Sequence, residues 1–598
     1  MNYRSDIQVI RGLAVILVVL FHLGFNSIKS GFLGVDIFFV ISGFLMAVLY
    51  DKNDIPKFYL RRAKRLLPAY YATIFVTLIF AYLFTTPNET AQVNTQAKYA
   101  VAFASNLGFW AQNSYFSTTD FNPLLHLWSL GVEMQFYLIV PLLYWVFSKN
   151  KFMFLLILVG SLISCFVVVG VSPKTSFFML PFRLWEFLIG YGAAYYFTNQ
   201  GNVKLTNYRW LGLIGLIVVC IIPLFSVNGE ALSAIDGHPG LFALLVTLAT
   251  ASVLVFGIPS FIEKSVISRV LERIGKYSYS IYLAHFPIIV IYLSKPFSGT
   301  NLTIPTLMDG VIIVVLMVLT SAALYYFFEH KKLKISVTKL IVGSSVSLVL
   351  LAMILPIIQN KFYSQEELLI FGAFSDRSTY RCGKLIRVLE PRAISCDLTP
   401  ETDNPEQKVM LVGNSHSDSI KTSFVKVSEA HQSKLFFMVS NTPLMKGDIG
   451  AKGVVDEAIS KGIDKLVLHF SPSAISNETI DEVILHSKQA GIKLYFIEPV
   501  PVWQEHIPIS MYNAINGGNN PTEKQTKLDY LKKNSSQINF VRNAEQNSIT
   551  SLPVVDYFCK PNCLYASSEG KPFYFDSGHL TITGSEQLKE IFDTILLD

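Results

Sequence analysis

A chain of 598 residues that is 51% hydrophobic and only 15% charged, with a mean hydropathy of +0.42, is too apolar for one soluble globule. Its formal net charge of +6 is modest. The basic residues sit in short loops between apolar stretches, so the charge pattern does not indicate nucleic-acid binding. The composition predicts an integral membrane protein that is long enough for several structural units.

Apolar segments fill the chain as far as residue 358. A membrane-spanning helix needs about 20 largely apolar residues, and about eleven segments meet that requirement. They lie at residues 7–28, 32–50, 66–85, 124–147, 152–172, 177–197, 210–227, 240–258, 277–294, 307–328 and 340–358. Arg4 precedes the first segment but no small-residue cleavage site follows it, so we expect a retained first helix and no signal peptide.

Basic residues in the short loops predict the orientation of the chain. Every second loop is basic: Lys57, Arg61, Arg62, Lys64 and Arg65, then Lys149 and Lys151, Lys204 and Arg209, Lys264, Arg269, Arg273 and Lys276, and Lys331, Lys332, Lys334 and Lys339. The intervening loops carry about one basic residue each, namely Lys29, Lys98, Lys174 and Lys295. Basic loops mark the cytoplasmic face, so we expect a cytoplasmic N-terminus and a C-terminal domain outside the membrane.

Charged side chains inside the apolar segments are costly and are usually functional. Arg11 and His22 share the first segment, and a rise of about 1.5 Å per residue puts His22 and Glu133 in the outer half, where we expect them to meet. His126 lies seven residues before Glu133, on the same helical face. Such an array suits general-base chemistry on a hydroxyl, and a buried structural pair is the alternative.

The other ionisable residues of the membrane segments allow two interpretations. Glu186 and His285, in the sixth and ninth segments, either take part directly or support helix packing. Arg62 and Arg65, three residues apart at the start of the third segment, either bind phosphate oxygens or serve topology and anionic lipid.

Five ordered motifs across residues 1–330 resemble acyltransferase family 3. They are Arg11 and His22 with ten residues between them, Asp36-Ile-Phe-Phe-Val-Ile-Ser42-Gly43-Phe, Arg62-Ala-Lys-Arg65, His126-Leu-Trp-Ser-Leu-Gly-Val-Glu133-Met-Gln-Phe-Tyr-Leu, and Ser278-Tyr-Ser-Ile-Tyr-Leu-Ala-His285-Phe-Pro.

That resemblance implies a membrane-embedded O-acyltransferase that uses cytoplasmic acetyl-CoA as donor substrate, with no bound cofactor. It implies catalytic roles for His22 and Glu133 and donor binding by Arg11, Arg62 and Arg65. Many members of the family have a second glutamate where this chain has Met134, so Glu133 alone is expected to supply the carboxylate.

A polar region with an alternating strand and helix pattern follows the last apolar segment. Strand-like runs at 408–412, 434–439, 465–470 and 493–497 predict an α/β sandwich with a parallel sheet. Ser415 follows the first of these strands, where ligands bind in such sheets. Asp576 and His579, three residues apart, have the groups to orient and perform general-base work on the Ser415 hydroxyl. An N-cap serine and a surface histidine are the alternative.

This arrangement resembles the SGNH hydrolase family, which implies Ser415 as nucleophile, Asp576 as orienting acid and His579 as base. The family usually has aspartate where Asn414 stands. Its oxyanion blocks are not plainly present, and Asn441 is the candidate donor. We therefore expect an acyltransferase region at 1–335, a further membrane helix at 336–358, a connector at 359–406 and an SGNH-like domain at 407–598.

Four of the six cysteines fall in the polar region, an even number that suits an oxidising compartment. We pair Cys382 with Cys396 and Cys559 with Cys563, although sequence alone leaves the connectivity open. A zinc site built by the same four residues is the alternative, and we expect no metal because C-x2-C spacing is missing.

Fusion of the two kinds of domain resembles bacterial envelope-polysaccharide O-acetyltransferases. The expected reaction moves acetyl groups from acetyl-CoA to polysaccharide hydroxyls, with the multi-pass chain in the bacterial inner membrane and its C-terminal domain in the periplasm. The short connector and paired cysteines favour lipopolysaccharide O-antigen as acceptor. Peptidoglycan, a capsule, an envelope carbohydrate esterase and a non-enzymatic glycan receptor or transporter are the alternatives.

Overall fold

The computed structural model describes residues 4–112, 115–199, 208–330, 336–379, 381–383, 386, 390, 392–518, 524–544 and 548–598. Four of the basic residues that predict orientation, Lys204, Lys331, Lys332 and Lys334, lie outside the described residues. The chain divides into two compact units, Met1–Gln359 and Asn360–Asp598.

In the described part of the first unit, all regular secondary structure is helical. Its helices are α1 (Ser5–His22), α2 (Gly34–Leu49), α3 (Ile55–Phe84), α4 (Pro87–Val101), α5 (Ser105–Ala111), α6 (Leu127–Lys149), α7 (Lys151–Val169), α8 (Pro173–Phe178), α9 (Leu180–Asn199), α10 (Arg209–Ile221), α11 (Leu241–Phe256), α12 (Ser260–Glu263), α13 (Val266–Lys276), α14 (Ser278–Tyr292), α15 (Leu307–Leu324) and α16 (Val337–Gln359). A short π-helix, Tyr325–His330, directly follows α15.

Each of the predicted membrane segments contains a helix. Within the described residues, seven helices are long and apolar enough to cross a membrane: Ser5–His22, Gly31–Leu49, Ile55–Phe84, Leu127–Lys149, Lys151–Val169, Leu307–His330 and Val337–Phe362. Arg209–Leu224, Leu241–Phe256 and Ser278–Tyr292 are apolar but shorter, and α9 is outside both groups. The structure therefore supports many apolar helices, and the count of eleven spans stays a prediction.

Helix α3 starts earlier than its apolar pattern indicates. The Asp54 side chain accepts a hydrogen bond from the Lys57 amide at 3.1 Å, and Pro56 occupies the first turn, so a good N-terminal cap begins the helix at Ile55. The basic stretch that was predicted as a loop is helical. Arg62 and Arg65 consequently lie on one helical face.

Close packing of α2 and α9 depends on two glycines. A Cβ on Gly43 would lie 1.9 Å from the Phe187 carbonyl oxygen, and one on Gly190 would lie 2.0 Å from that of Val40. In lipid, helices associate through close van der Waals packing and not through the hydrophobic effect. Glycines at the contact let the two backbones approach closely enough for such packing. This contact fixes the α2 residues Asp36 and Ser42 beside α6 and α9.

The second unit is an α/β domain around a six-stranded sheet with strand order β1-β3-β2-β4-β5-β6. The strands are β1 (Ser395–Asp397), β2 (Lys408–Val412), β3 (Lys434–Met438), β4 (Lys465–His469), β5 (Lys493–Ile497) and β6 (Ile549–Leu552). The helices are α17 (Gln365–Gly372), α18 (Ser415–Ala430), α19 (Ala451–Lys461), α20 (Asn477–Ala490), α21 (Ile507–Ile515), α22 (Lys527–Ala544), α23 (Val555–Phe558), α24 (Ile582–Ser585) and α25 (Lys589–Leu597).

The sheet is mixed, so the prediction of a parallel sheet is wrong at one edge. Strands β2 to β6 pair in parallel, whereas β1 pairs with β3 in the antiparallel sense. β1 comes from the segment that was predicted to be a connector. An edge position accepts a short strand of either direction because only one side of it is paired.

Both faces of the sheet are covered by helices. Val409 and Leu411 of β2 pack in one apolar cluster with residues of α18 and α25, and Met410 and Val412 pack in another with residues of α19 and α20. Alternate side chains of a strand point to opposite faces, which explains the uninterrupted apolar run in β2. The arrangement exposes the carboxyl ends of the strands for a site.

Candidate active sites

The turn between β2 and α18 presents Ser415. Gly413 starts the turn, and a Cβ there would lie 1.8 Å from the His469 carbonyl oxygen and 2.1 Å from the Ser417 hydroxyl, so only glycine fits. The Asn414 side chain accepts from the His416 amide at 3.1 Å and caps α18. Ser415 is therefore the exposed first residue of a helix, at the end where the helix dipole favours negative charge.

Ser415, His579 and Asp576 form a continuous hydrogen-bonded chain. His579 Nε2 lies 2.7 Å from the Ser415 Oγ, and His579 Nδ1 lies 2.6 Å from the Asp576 Oδ2. The other carboxylate oxygen of Asp576 accepts from the amides of Gly578 at 2.8 Å and His579 at 2.7 Å. This is the order of contacts that activates a serine nucleophile.

The electrostatics of the chain keep Asp576 ionised. Burial alone would raise the pKa of this carboxyl, but the hydrogen bond and charge of His579 and the two backbone amides lower the pKa to about 2. The carboxylate holds the proton of His579 on Nδ1. The Nε2 atom is consequently available to accept the proton of Ser415.

Two further histidines lie beside the triad. The ring centroids of His416 and His579 are 4.8 Å apart, and those of His416 and His469 are 6.3 Å apart. Burial and then the neighbouring His579 lower the pKa of His416, and burial lowers the pKa of His469 to about 4. Both rings are neutral at ordinary pH, so they add no positive charge against a protonated His579.

Asn414 departs from the usual aspartate of the SGNH block, and both ends of its side-chain amide form hydrogen bonds with Ser471. Its Nδ2 donates to the Ser471 hydroxyl at 2.7 Å, while its Oδ1 accepts from the Ser471 amide at 3.2 Å. The asparagine therefore ties the nucleophile turn to the loop that follows β4.

Asn441, the predicted oxyanion donor, is held by an arginine that the sequence reasoning missed. Arg381 Nε donates to the Asn441 Oδ1 at 2.7 Å, Nη2 donates to the Asn441 carbonyl at 2.8 Å, and Nη1 donates to the Gly413 carbonyl at 3.0 Å. Arg381 is 2% exposed. It braces the ends of β2 and β3, and the oxyanion role of Asn441 stays a prediction.

The four cysteines of the second unit form two disulfides, Cys382–Cys396 and Cys559–Cys563. Cys396 lies in β1, so the first disulfide ties the residue after Arg381 to the edge of the sheet. In the sequence, the one signal for the contacts of Arg381 was its position next to Cys382, a cysteine that was predicted to form a disulfide. Among the described residues, no group of three or more histidine, cysteine or acidic side chains is placed to hold a metal ion.

A second candidate site is a cavity of about 750 Å³ within the helical unit, measured with its mouth. Arg11, Arg62, Arg65 and Glu133 all line it, together with apolar, tyrosine and serine side chains. Arg62 Nε is buried without a hydrogen-bond partner among the described residues. Three arginines around one cavity suit a ligand with phosphate oxygens.

Glu133 is fixed by two hydroxyl groups. The Ser42 Oγ and the Tyr137 hydroxyl both donate to Glu133 Oε1. Tyr137 follows Glu133 by four residues on α6, a spacing that brings two side chains together and that the sequence offered as a signal. Glu133 therefore belongs to the arginine cavity.

His22 lies elsewhere, so the expected meeting of His22 and Glu133 is not a contact of this structure. His22 Nε2 is 2.8 Å from the Tyr115 hydroxyl, and its Nδ1 is 3.2 Å from His285 Nε2. His126 immediately precedes α6, and its ring centroid is 5.6 Å from that of His285. A similar expected depth did not make His22 and Glu133 partners, because rotation about each helix axis also decides which side chains are in contact.

Glu186 belongs to a third polar group, which is fully buried. Arg183 Nη1 lies 2.9 Å from Glu186 Oε1 and 3.3 Å from Asp36 Oδ1, and His238 Nε2 lies 3.7 Å from Asp36 Oδ2. The guanidinium also lies over the ring of Phe39 at 5.4 Å. These contacts join α2 to α9 and fit the packing role that was one of the two interpretations of Glu186.

Both units match known families. Residues 4–326, more than half of the chain, match the acyltransferase domain of the acyltransferase 3 family. Residues 382–594 match the SGNH domain that is fused to acyltransferase 3 domains. The second match begins before the predicted domain start at 407 and includes β1.

Curated relatives match about half of the chain. O-acetyltransferase OatA of Staphylococcus aureus (strain NCTC 8325 / PS 47) is 32% identical over 322 residues, which cover 50% of this chain and 52% of the relative. Peptidoglycan O-acetyltransferase OatA of Listeria monocytogenes is 32% identical over 311 residues, covering 48% and 50%. The chain thus spans about half the length of these relatives.

Among solved structures, the periplasmic domain of a lipopolysaccharide acetyltransferase from Salmonella ser. Paratyphi A covers 40% of this chain and 96% of its own length. The identity is 16% and the TM-score is 0.29, at which we draw no conclusion from the likeness. The two family matches, in the order that the sequence motifs predict, are decisive: the chain belongs to the acyltransferase 3 family, in the form that is fused to an SGNH domain.

Proposed function

We propose that the protein transfers acetyl groups from acetyl-CoA to hydroxyl groups of a cell-envelope polysaccharide. The observation that carries the proposal is the Ser415–His579–Asp576 chain in a domain of the SGNH type fused to acyltransferase 3 domains. The relatives from Staphylococcus aureus and Listeria monocytogenes are named O-acetyltransferases, which supports an acetyl group as the unit transferred.

The donor, acetyl-CoA, is proposed to bind in the arginine cavity. Arg11, Arg62 and Arg65 bring guanidinium groups to the same space, where they suit the phosphates of acetyl-CoA. Glu133, held by Ser42 and Tyr137, supplies a carboxylate beside them. The basic loops support a cytoplasmic opening for this cavity.

The acceptor end is proposed for Ser415. As His579 Nε2 takes the serine proton, Oγ attacks the carbonyl of an O-acetyl ester of a carrier alcohol that brings the acetyl group from the donor end. The ester C–O bond breaks, acetyl-serine forms, and His579 gives the proton to the departing carrier alcohol. A sugar hydroxyl then attacks the acetyl carbonyl while His579 takes its proton and returns it to Ser415 Oγ. Two disulfides in this unit support an oxidising compartment such as the periplasm, beyond a bacterial inner membrane.

Two acceptors have support from different observations. The short connector and the disulfides favour lipopolysaccharide O-antigen, whereas the Listeria monocytogenes relative is named a peptidoglycan O-acetyltransferase, which favours peptidoglycan. A carbohydrate esterase is the second candidate activity, since the same triad transfers acetyl groups to water. The ratio of saccharide acetylation to hydrolysis by the purified protein separates transferase from esterase.

The test is the O-acetyl content of purified O-antigen and peptidoglycan, measured by mass spectrometry with and without the gene. We expect one polymer to lose its O-acetyl groups on deletion and to regain them with the wild-type gene. Ser415→Ala should not restore them, whereas Ser460→Ala, at an exposed serine of α19, should. Restoration by Ser415→Ala would contradict the proposed acceptor step.

A further inference from the structure

Three buried histidines cluster in the helical unit, apart from the arginine cavity. His22 ends α1, His126 precedes α6 and His285 lies in α14, and they are 3%, 2% and 0% exposed. The ring centroids of His22 and His285 are 5.2 Å apart. His285 has no role in the donor and acceptor steps proposed above.

The hydrogen bonds of the cluster fix where the protons lie. His285 Nδ1 is 2.7 Å from the Tyr282 carbonyl oxygen, which only accepts, so Nδ1 carries a proton. Two fully buried imidazoles whose nitrogens are 3.2 Å apart do not both carry a positive charge. In the neutral pair, His285 Nε2 therefore accepts and His22 Nδ1 donates.

The remaining nitrogen of His22 then has a free lone pair for a hydroxyl. With the proton on Nδ1, His22 Nε2 accepts from the Tyr115 hydroxyl at 2.8 Å. Tyr115 lines a cleft of about 370 Å³ together with Phe116, Lys174, Phe177 and Glu230. The base nitrogen of His22 is consequently directed at the hydroxyl of Tyr115, a residue that lines this cleft.

One residue connects the cluster to the arginine cavity. Tyr282 lines that cavity, its carbonyl oxygen fixes His285, and its hydroxyl donates to the His126 carbonyl at 2.8 Å and contacts the Ser129 hydroxyl at 2.6 Å. The histidine pair thus contacts one residue that lines the cavity, Tyr282, and one that lines the cleft, Tyr115.

We propose that His285 is a positioning residue that holds His22 in the tautomer with an unprotonated Nε2 directed at the Tyr115 hydroxyl. The inference rests on the proposed function, in which acetyl-CoA is the donor. His22 Nε2 takes the proton of the carrier alcohol that first receives the acetyl group, while the oxygen of that alcohol attacks the thioester carbonyl. The C–S bond breaks, and the CoA thiolate leaves and takes the proton from His22.

The experiment compares His285→Leu with His285→Gln in the full-length protein in proteoliposomes, with acetyl-CoA as donor and thiol release as the readout. A glutamine amide oxygen replaces the acceptor at Nε2, and leucine does not. We expect the leucine variant to lose about 100-fold in kcat with an unchanged KM for acetyl-CoA, and the glutamine variant to lose less than about tenfold. Tyr292→Phe, on the same helix, is the matched control.

A double-mutant cycle separates positioning from structural support. Because His285 acts through His22, adding His285→Gln or His285→Leu to His22→Ala should lower kcat no further than His22→Ala alone. Additive losses would overturn the inference, as would a folded His285→Leu variant within threefold of wild-type kcat. If the leucine variant does not fold, the glutamine variant still supplies the cycle. Failure of the wild-type protein to release CoA would instead contradict the proposed function.

Discussion

Replacement of Asp576 by asparagine tests the triad because the structure predicts which tautomer results. The Asp576 Oδ1 accepts from two backbone amides at 2.8 and 2.7 Å, and an asparagine oxygen can keep both bonds. Its NH2 group would then face His579 Nδ1, which must become an acceptor. The ring proton moves to Nε2, where it faces Ser415 and blocks removal of the serine proton.

The expected size of the effect follows from two quantities. The wrong tautomer in a serine triad costs about 10⁴-fold in kcat, with KM little changed. Lowering the pKa of Asp576 from 3.8 to about 2 corresponds to about 2 kcal/mol of folding stability at neutral pH. Because the folded-state pKa is depressed, this contribution is present above about pH 4 and is lost as the pH falls toward about 2.

The assay is hydrolysis of a chromogenic acetyl ester by the purified full-length protein, with thermal unfolding measured on the same samples. His431 and Asp593 supply a matched control, since they also form a histidine–aspartate pair at 2.8 Å with similar exposure. Asp593→Asn should keep wild-type kcat. An Asp576→Asn variant with more than a tenth of wild-type kcat would refute the assigned chain of contacts, and so would an equal loss in Asp593→Asn.

Three further outcomes follow from the second unit. Gly413→Ala should abolish ester hydrolysis and lower the unfolding temperature, because its Cβ would lie 1.8 Å from the His469 carbonyl; normal activity would contradict the glycine turn. Arg381→Gln should lower the free energy of unfolding by about 3 kcal/mol and lower kcat, because three carbonyl acceptors lose their buried guanidinium donor. Denaturant titration measures the loss of stability. Replacing Cys382 and Cys396 by serine opens a link across 14 residues and should cost about 3 kcal/mol in the same titration; no change would mean that this disulfide does not support the fold.

Residues that act through local spacing were predictable from the sequence. Asp576 and His579 are three apart, and Ser415 follows an apolar strand, so the chemistry of the triad could be assigned before its geometry was known. Hydropathy likewise located a helix under every apolar segment, because burial in lipid is a property of the whole segment. The exact helix start of α3 depended on a cap at Asp54 that lies outside the apolar run.

Residues that act through tertiary contacts were not predictable. Arg381 contacts Gly413 and Asn441, which are 32 and 60 residues away in the chain, and the three-residue strand β1 that follows it leaves little pattern in the sequence. His22 and Glu133 have comparable expected depths, yet side-chain direction around each helix gives them different partners. Pairing in a helical bundle requires the rotation of each helix as well as its length.

The most direct test of the account is to follow labelled acetyl groups from acetyl-CoA to Ser415. The full-length protein in proteoliposomes, given ¹³C-acetyl-CoA without polysaccharide, should carry the label on the peptide containing Ser415, as read by mass spectrometry. The label should be missing from that peptide in His22→Ala and in Ser415→Ala. Transfer of the label to envelope polysaccharide by a protein whose Ser415 is replaced would contradict the account.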